Sequence, residues 1–138
     1  MKLTRRDALA LGLGATAASF LPFRAMASVD DIIAGFTGGA ETGEGDLTLT
    51  APEIAENGNT VPIAVNAPGA EAIFVIAPAN PTKAVVTFNF GPLAGSQSAS
   101  TRIRLAGTQD VIAIARMPDG SFIQTSQTVK VTIGGCGG

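Results

Sequence analysis

Few residues of this chain can do chemistry, and the most conspicuous is its single cysteine, Cys136, in the terminal run Gly134-Gly135-Cys136-Gly137-Gly138. A catalytic thiol needs a base or a cation beside it to form the thiolate. The 138 residues contain no histidine, and the nearest basic residue in sequence is Lys130. One thiol and no imidazole cannot make a Ser-His-Asp triad, a Cys-His pair, a haem axial ligand, or a zinc or iron–sulfur ligand set. The sequence therefore predicts no catalytic residues, no metal and no cofactor. The closely spaced carboxylates Asp30 and Asp31, Glu41 and Glu44, and Glu53 and Glu56 fall in predicted termini and loops. Solvation, rather than paired acid–base work, is their expected role there. Asn57-Gly58-Asn59 lacks the acidic repeat of a calcium loop and reads as a turn.

The start of the chain supplies the context for that thiol. Lys2, Arg5 and Arg6 precede an uncharged Ala/Leu/Gly-rich run from Ala8 to Phe23, followed by Ala25-Met26-Ala27. This is the three-part pattern of a cleaved signal peptide, predicted over residues 1–27, and the run is short of the ~20 apolar residues of a membrane span. Thr4-Arg5-Arg6-Asp7-Ala8-Leu9 resembles a twin-arginine export signal, with Ala8 where Phe is usual. The expected location is the periplasm. Since that route carries folded cargo, we also expect export together with a second protein. The segment after the leader holds five basic residues against ten acidic ones. With no basic stripe, neither nucleic acid nor an anionic membrane is an expected partner. A lipid anchor is not expected either: Cys136 is third from the end rather than fourth, and Ser28 follows the leader.

An unpaired cysteine in an oxidising compartment is a liability that exported chains ordinarily pair or omit. Here it is displayed between glycines, which remove side chains that would clash in a narrow passage. Residues 134–138 therefore read as a flexible arm. From Gly134 to Cys136 it spans roughly 10 Å when extended. The thiol reads as a handle, activated by whichever enzyme receives it.

The element that must hold this arm is a β domain over residues 28–133. Ser28 to Gly35 reads as a short helix, with Ser28 as its cap and Asp30 and Asp31 in its first turn. Period-two segments follow at Leu47–Thr50, Val61–Val65, Ala72–Ala77, Ala84–Phe90, Ala99–Leu105, Val111–Met117 and Phe122–Ile133, separated by turn residues such as Asn80-Pro81 and Asp119-Gly120. About seven strands without intervening helices predict an all-β, immunoglobulin-like antiparallel sandwich. Phe74, Phe88, Phe90 and Phe122 are its expected large core residues. Arg102 and Arg104, two apart on a strand, share a face and are candidate partner contacts.

Taken together, the twin-arginine leader, Pro52-Glu53-Ile54-Ala55-Glu56-Asn57-Gly58 with Val61-Pro62-Ile63, the Asn80-Pro81 turn, Thr101-Arg102-Ile103-Arg104-Leu105 with Thr108-Gln109, and the terminal Gly-Gly-Cys-Gly-Gly resemble the SoxY family, sulfur-carrier subunits of the bacterial Sox thiosulfate-oxidising system. The resemblance implies an immunoglobulin-like fold and a heterodimer with SoxZ. It also implies that Cys136 carries sulfur intermediates covalently. A haem enzyme, SoxAX, would join thiosulfate to Cys136, SoxB would release the terminal sulfone as sulfate, and in some organisms SoxCD would oxidise the remaining sulfur. Two other classes stand beside it. A ubiquitin-like sulfur carrier also ends in Gly-Gly, but the leader and the all-β pattern oppose it. A periplasmic interaction module whose cysteine forms an intermolecular disulfide fits the fold and the export signal equally. Changing Arg5 and Arg6 to Lys should retain the protein, and with it any leaderless partner, in the cytoplasm, as read by cell fractionation.

Overall fold

The computed structural model describes residues 28–133. The predicted leader, with Arg5 and Arg6, and the predicted arm, Gly134, Gly135, Cys136, Gly137 and Gly138, lie outside the described residues. The described residues open with helix α1, Val29–Thr37, which runs two residues past its expected end at Gly35. Ser28 caps it by a reciprocal pair of bonds, its hydroxyl accepting from Asp31 N–H and its own N–H donating to the Asp31 carboxylate, each at 3.2 Å. Gly38, in the left-handed region at φ 68°, ends the helix where a side chain would be strained.

Nine strands follow: β1 Thr42–Gly43, β2 Thr48–Thr50, β3 Ile54–Ala55, β4 Val61–Asn66, β5 Ala72–Ile76, β6 Ala84–Asn89, β7 Ser98–Ile103, β8 Gln109–Arg116 and β9 Phe122–Val131. The seven period-two segments are all present within a few residues of their expected ends. The two further pieces, β1 and β3, are only two residues long, too short for any periodicity to register. One sheet has the order β1-β9-β8-β5-β6 with β3 also on β9, and the other is β2-β4-β7. The long strands pair antiparallel, as expected, while β1 and β3 both join β9 in parallel. The chain thus runs beside β9, crosses to the opposite sheet as β2, and returns to β9 as β3.

Between the sheets lies an aliphatic core in which Val61, Ile73, Val75, Leu105, Val111 and Val129 are fully buried. A second cluster sits on the far side of the large sheet, where Phe74, Ile76, Ile114 and Phe122 are covered by Val29, Ile32, Ile33 and Phe36 of α1. The helix makes a third layer. It explains why every residue of β5 is buried: both of that strand's faces are covered. Phe36 is the contact residue, its ring 4.9 Å from Phe74 and edge-on to Phe122 at 5.8 Å. The Arg116 guanidinium lies 5.9 Å above the Phe36 ring and 3.4 Å from Glu71. Of the four expected core phenylalanines, Phe74 and Phe122 are buried, but under the helix rather than between the sheets. Phe88 and Phe90 are only half-buried, because they lie on or just beyond β6, the open edge of the large sheet.

Polar pins fix the loops. Asn80 and Gln109, each 8% exposed, form a connected network that binds the β5–β6 turn to the segment after β7. Asn80 Nδ2 donates to Arg104 O at 2.8 Å, and Asn80 Oδ1 accepts from Ala106 N at 2.9 Å and Gln109 Nε2 at 3.0 Å. Gln109 Oε1 accepts from Ala79 N at 2.9 Å. At the β8–β9 hairpin Asp119 accepts from Ser121 N–H and hydroxyl, which holds its carboxyl below the ordinary range. Gly45 lets the crossing chain pass close to β9, since a Cβ there would meet Ile123 Cγ2 at 2.8 Å.

Two outcomes are expected. Asn80→Ala takes the side-chain partner from the part-buried Arg104 carbonyl and Ala106 N–H and one of two acceptors from Gln109 Nε2, and should cost about 2 kcal/mol, lowering the melting temperature by about 10 °C in thermal circular dichroism. Phe36→Ala removes the helix's anchor and should cost about 2 to 3 kcal/mol, with amide exchange accelerated in α1 but not in β4 or β7.

Candidate functional site

Strand β9, which leads toward Cys136 in the sequence, is held on both sides at its last described residues. Lys130 N–H donates to Glu53 O at 2.9 Å and Thr132 N–H to Ala55 O at 3.0 Å, so β3 guides one side of the strand end. On the other side Val131 N–H donates to Thr108 Oγ1 at 3.0 Å. The Thr132 hydroxyl reaches Glu56 O at 3.1 Å. Finally Gly58 N–H donates to the carbonyl of Ile133, the last described residue, at 2.8 Å. The five residues that follow therefore start from a fixed point on the surface.

Gly58 is a junction. While its N–H holds Ile133, its carbonyl accepts from Leu105 N–H at 2.8 Å, so one buried glycine ties the chain's exit to the end of β7. The turn containing it forms because Asn57 closes on itself: Asn59 N–H donates to the Asn57 side chain at 3.0 Å and Thr60 N–H to the Asn57 carbonyl at 3.4 Å.

Arg102 and Arg104 are exposed while Ile103 and Leu105 are buried, but β7 ends at Ile103, so Arg104 lies one residue beyond the strand rather than on its face as expected. Their surroundings differ. Arg102 lies opposite Pro62 of β4, and its guanidinium leans along the sheet toward Thr60, with Nη1 3.4 Å from the Thr60 hydroxyl. It is the one charged side chain lining a shallow groove of about 650 Å3 on the outer face of the small sheet, alongside Thr50, Pro52, Pro62 and Ser100. A second groove of about 650 Å3 adjoins it over Thr48, Asn66 and Ser98. Arg104 instead borders a smaller depression of about 260 Å3 with Asn80, Pro81 and Val85. Among the described residues neither arginine has a carboxylate within salt-bridge distance, whereas Arg116 is paired with Glu71.

The carboxylates have local partners. Asp31 caps α1, Glu71 pairs with Arg116, Asp110 accepts from the Thr128 hydroxyl, and Asp119 accepts from Ser121. Glu53, Glu56, Glu41 and Glu44 are exposed or half-exposed near loops. Among the described residues no three acidic side chains gather where they would hold a metal ion. Sequence reasoning missed Thr60 and the double role of Gly58. The Asn57-Gly58-Asn59 turn was visible, but a turn carries no sign of which distant strand its backbone will hold.

Comparison with known proteins agrees with this architecture. The family model described as sulfur oxidation protein SoxY matches residues 33–136. The solved structure of the sulfur carrier protein SoxY from Chlorobium limicola f thiosulfatophilum superimposes with a TM-score of 0.68 at 35% identity, covering 77% of this chain and 97% of that one. The superoxide reductase (neelaredoxin) of Ignicoccus hospitalis has a TM-score of 0.52 at 14% identity, covering 77% of this chain and 94% of that one. A variant of that reductase has a TM-score of 0.55 at 15% identity, covering 76% of this chain and 89% of that one. At that identity the likeness concerns the fold alone. No curated protein sequence matches the chain. The family match spans most of the chain and the solved relative shares both its sandwich and a third of its residues, so the chain belongs to the SoxY family of sulfur oxidation proteins.

Proposed function

We propose that this chain is a periplasmic sulfur carrier of thiosulfate oxidation, with Cys136 as the covalent attachment point. The observation that carries the reading is the pinned strand end at Ile133, followed by a terminus whose only reactive group is a thiol set among glycines. A fixed base and a side-chain-free tip suit delivery of one sulfur atom into other proteins' active sites. The chain supplies the thiol and its presentation. Oxidising power and general base come from the enzymes it visits, because no histidine or nearby cation in the local sequence activates Cys136.

Loading is an oxidation: Cys–SH and thiosulfate form a new S–S bond to give Cys–S–S–SO3−, releasing one proton and two electrons to a haem enzyme of the SoxAX kind. Hydrolysis by an enzyme of the SoxB kind then breaks the S–SO3 bond. Water supplies the fourth oxygen of sulfate, and Cys–S–S− remains on the carrier with two protons released. A sulfane dehydrogenase of the SoxCD kind would oxidise that outer sulfur. In this reading the chain works as a heterodimer with SoxZ. Its open β6 edge, Ala84–Asn89, contains no charged residue, and the following loop exposes Leu93 almost completely. Such an edge is one that proteins ordinarily cover.

Intact-mass spectrometry of protein from thiosulfate-fed cells should find additions of ~32 Da per sulfur atom or ~112 Da for thiosulfate, lost on thiol reduction. Cys136→Ser should abolish them while leaving the melting temperature within about 1 °C, since a terminal residue contributes little to stability. A wild-type cysteine found only as a plain thiol, or only as a disulfide to another protein, would overturn the carrier reading in favour of an interaction module.

A further inference from the structure

The carrier reading assigns an attachment point but leaves open what the loaded group touches between visits to enzymes. Every thiosulfate-derived adduct that retains its sulfonate bears a fixed negative charge. Of the five basic residues in the described domain, Arg102 combines three properties. It is exposed, it has no carboxylate partner among the described residues, and its guanidinium leans toward Thr60, two residues from the Gly58 that holds Ile133.

We propose that Arg102 and Thr60 form a docking site for the sulfonate end of the group carried on Cys136. The occupant is this chain's own residues 134–138. Three observations support it. First, the path is short: Ile133 is bonded directly to Gly58, and Thr60 is two residues farther on. One hydrogen-bonded crossing of about 5 Å and two residues of chain separate Ile133 from Thr60 by no more than about 12 Å, while Cys136 reaches about 10 Å from Ile133 before its side chain and adduct are added. Second, the chemistry matches, since a guanidinium presents several N–H donors to a tetrahedral oxyanion and the Thr60 hydroxyl offers one more. Third, the ground is open: the groove beside Arg102 is lined by short side chains, including Thr50, Ser100 and Pro52, with no acidic residue among them.

Docking would hold a loaded thiosulfonate against the domain, and removal of the sulfonate as sulfate would remove the tetrahedral oxyanion that docks, leaving a persulfide with no oxygen acceptors for the two donors. The site would thereby distinguish the loaded state from the state that follows hydrolysis.

The test loads the purified chain chemically. The Cys136 thiolate attacks tetrathionate, forming Cys–S–S–SO3− and expelling thiosulfate. A second sample is capped with iodoacetamide, which adds a neutral group of similar size. In amide and arginine Nε–H nuclear magnetic resonance spectra, the thiosulfonate should shift Thr60 and Arg102 while the neutral cap leaves them in place. Arg102→Gln should reduce the Thr60 shift about threefold, the size expected for an exposed pair, and so should raising the salt to about 0.5 M. Thr60→Val provides a second variant, read at Arg102. Equal shifts with the neutral cap, or a Thr60 shift unchanged in Arg102→Gln, would overturn the docking site. Because loading here needs no enzyme, this result is separate from the mass spectrum of cell-derived protein: adducts in cells with no Arg102 response sink the docking site, and an Arg102 response without adducts in cells sinks the carrier reading.

Discussion

Strand β9 is the element to which the remaining structure is tied. An isolated strand leaves its backbone groups unpaired on both sides, and burying such groups without partners costs more than most side-chain contacts return. Here β8 pairs one side of β9 from Phe122 to Val129, and on the other side β1 pairs it near its start and β3 near its end. Because β2 lies between those instalments in sequence and pairs with β4 in the opposite sheet, the same stretch of chain that completes β9 also fastens the two sheets together. The terminus that carries the thiol leaves from the end of this doubly bonded strand.

That arrangement divides the labour of the molecule. Aliphatic packing between the sheets and aromatic packing beneath α1 give the domain its rigidity. The buried Asn80–Gln109 network converts that rigidity into a defined position for the segment that follows β7 and contains Arg104. A buried amide with its hydrogen bonds satisfied specifies one loop position, because any alternative strands a polar group in low dielectric. The one cysteine of the sequence, Cys136, has no histidine and no nearby basic residue in the sequence to act as its base. The superoxide reductases that share the sandwich are a reminder that such a scaffold does not choose the chemistry; the residues placed on it do.

Electrostatics reinforces the division. The described domain carries twice as many acidic as basic residues, and several of its carboxylates are engaged by hydroxyls, by a helix N-terminus or by Arg116. Arg102, on β7, and Arg104, just past its end, are exposed and without a carboxylate partner among the described residues, while their neighbours Ile103 and Leu105 are buried in the core.

The class of fold, the positions of seven strands and the cap of the helix were all legible in the amino-acid order. Alternation of apolar residues, turn dipeptides and the Ser28–Asp31 spacing are local signals that act over two to four residues. Composition likewise marked Cys136 as the sole nucleophile of its kind, since it excludes the alternatives. The parallel pairing of β1 and β3 with β9 arose only in three dimensions. Two-residue strands have no period of their own and exist because β9 offers unsatisfied backbone. Folding also sent Phe74 and Phe122 under the helix and left Phe88 and Phe90 at an open edge, because the face a phenylalanine occupies depends on which layer covers it. The junction at Gly58 was equally invisible: its two hydrogen bonds join residues 58, 105 and 133, and a backbone N–H or carbonyl is the same in every sequence.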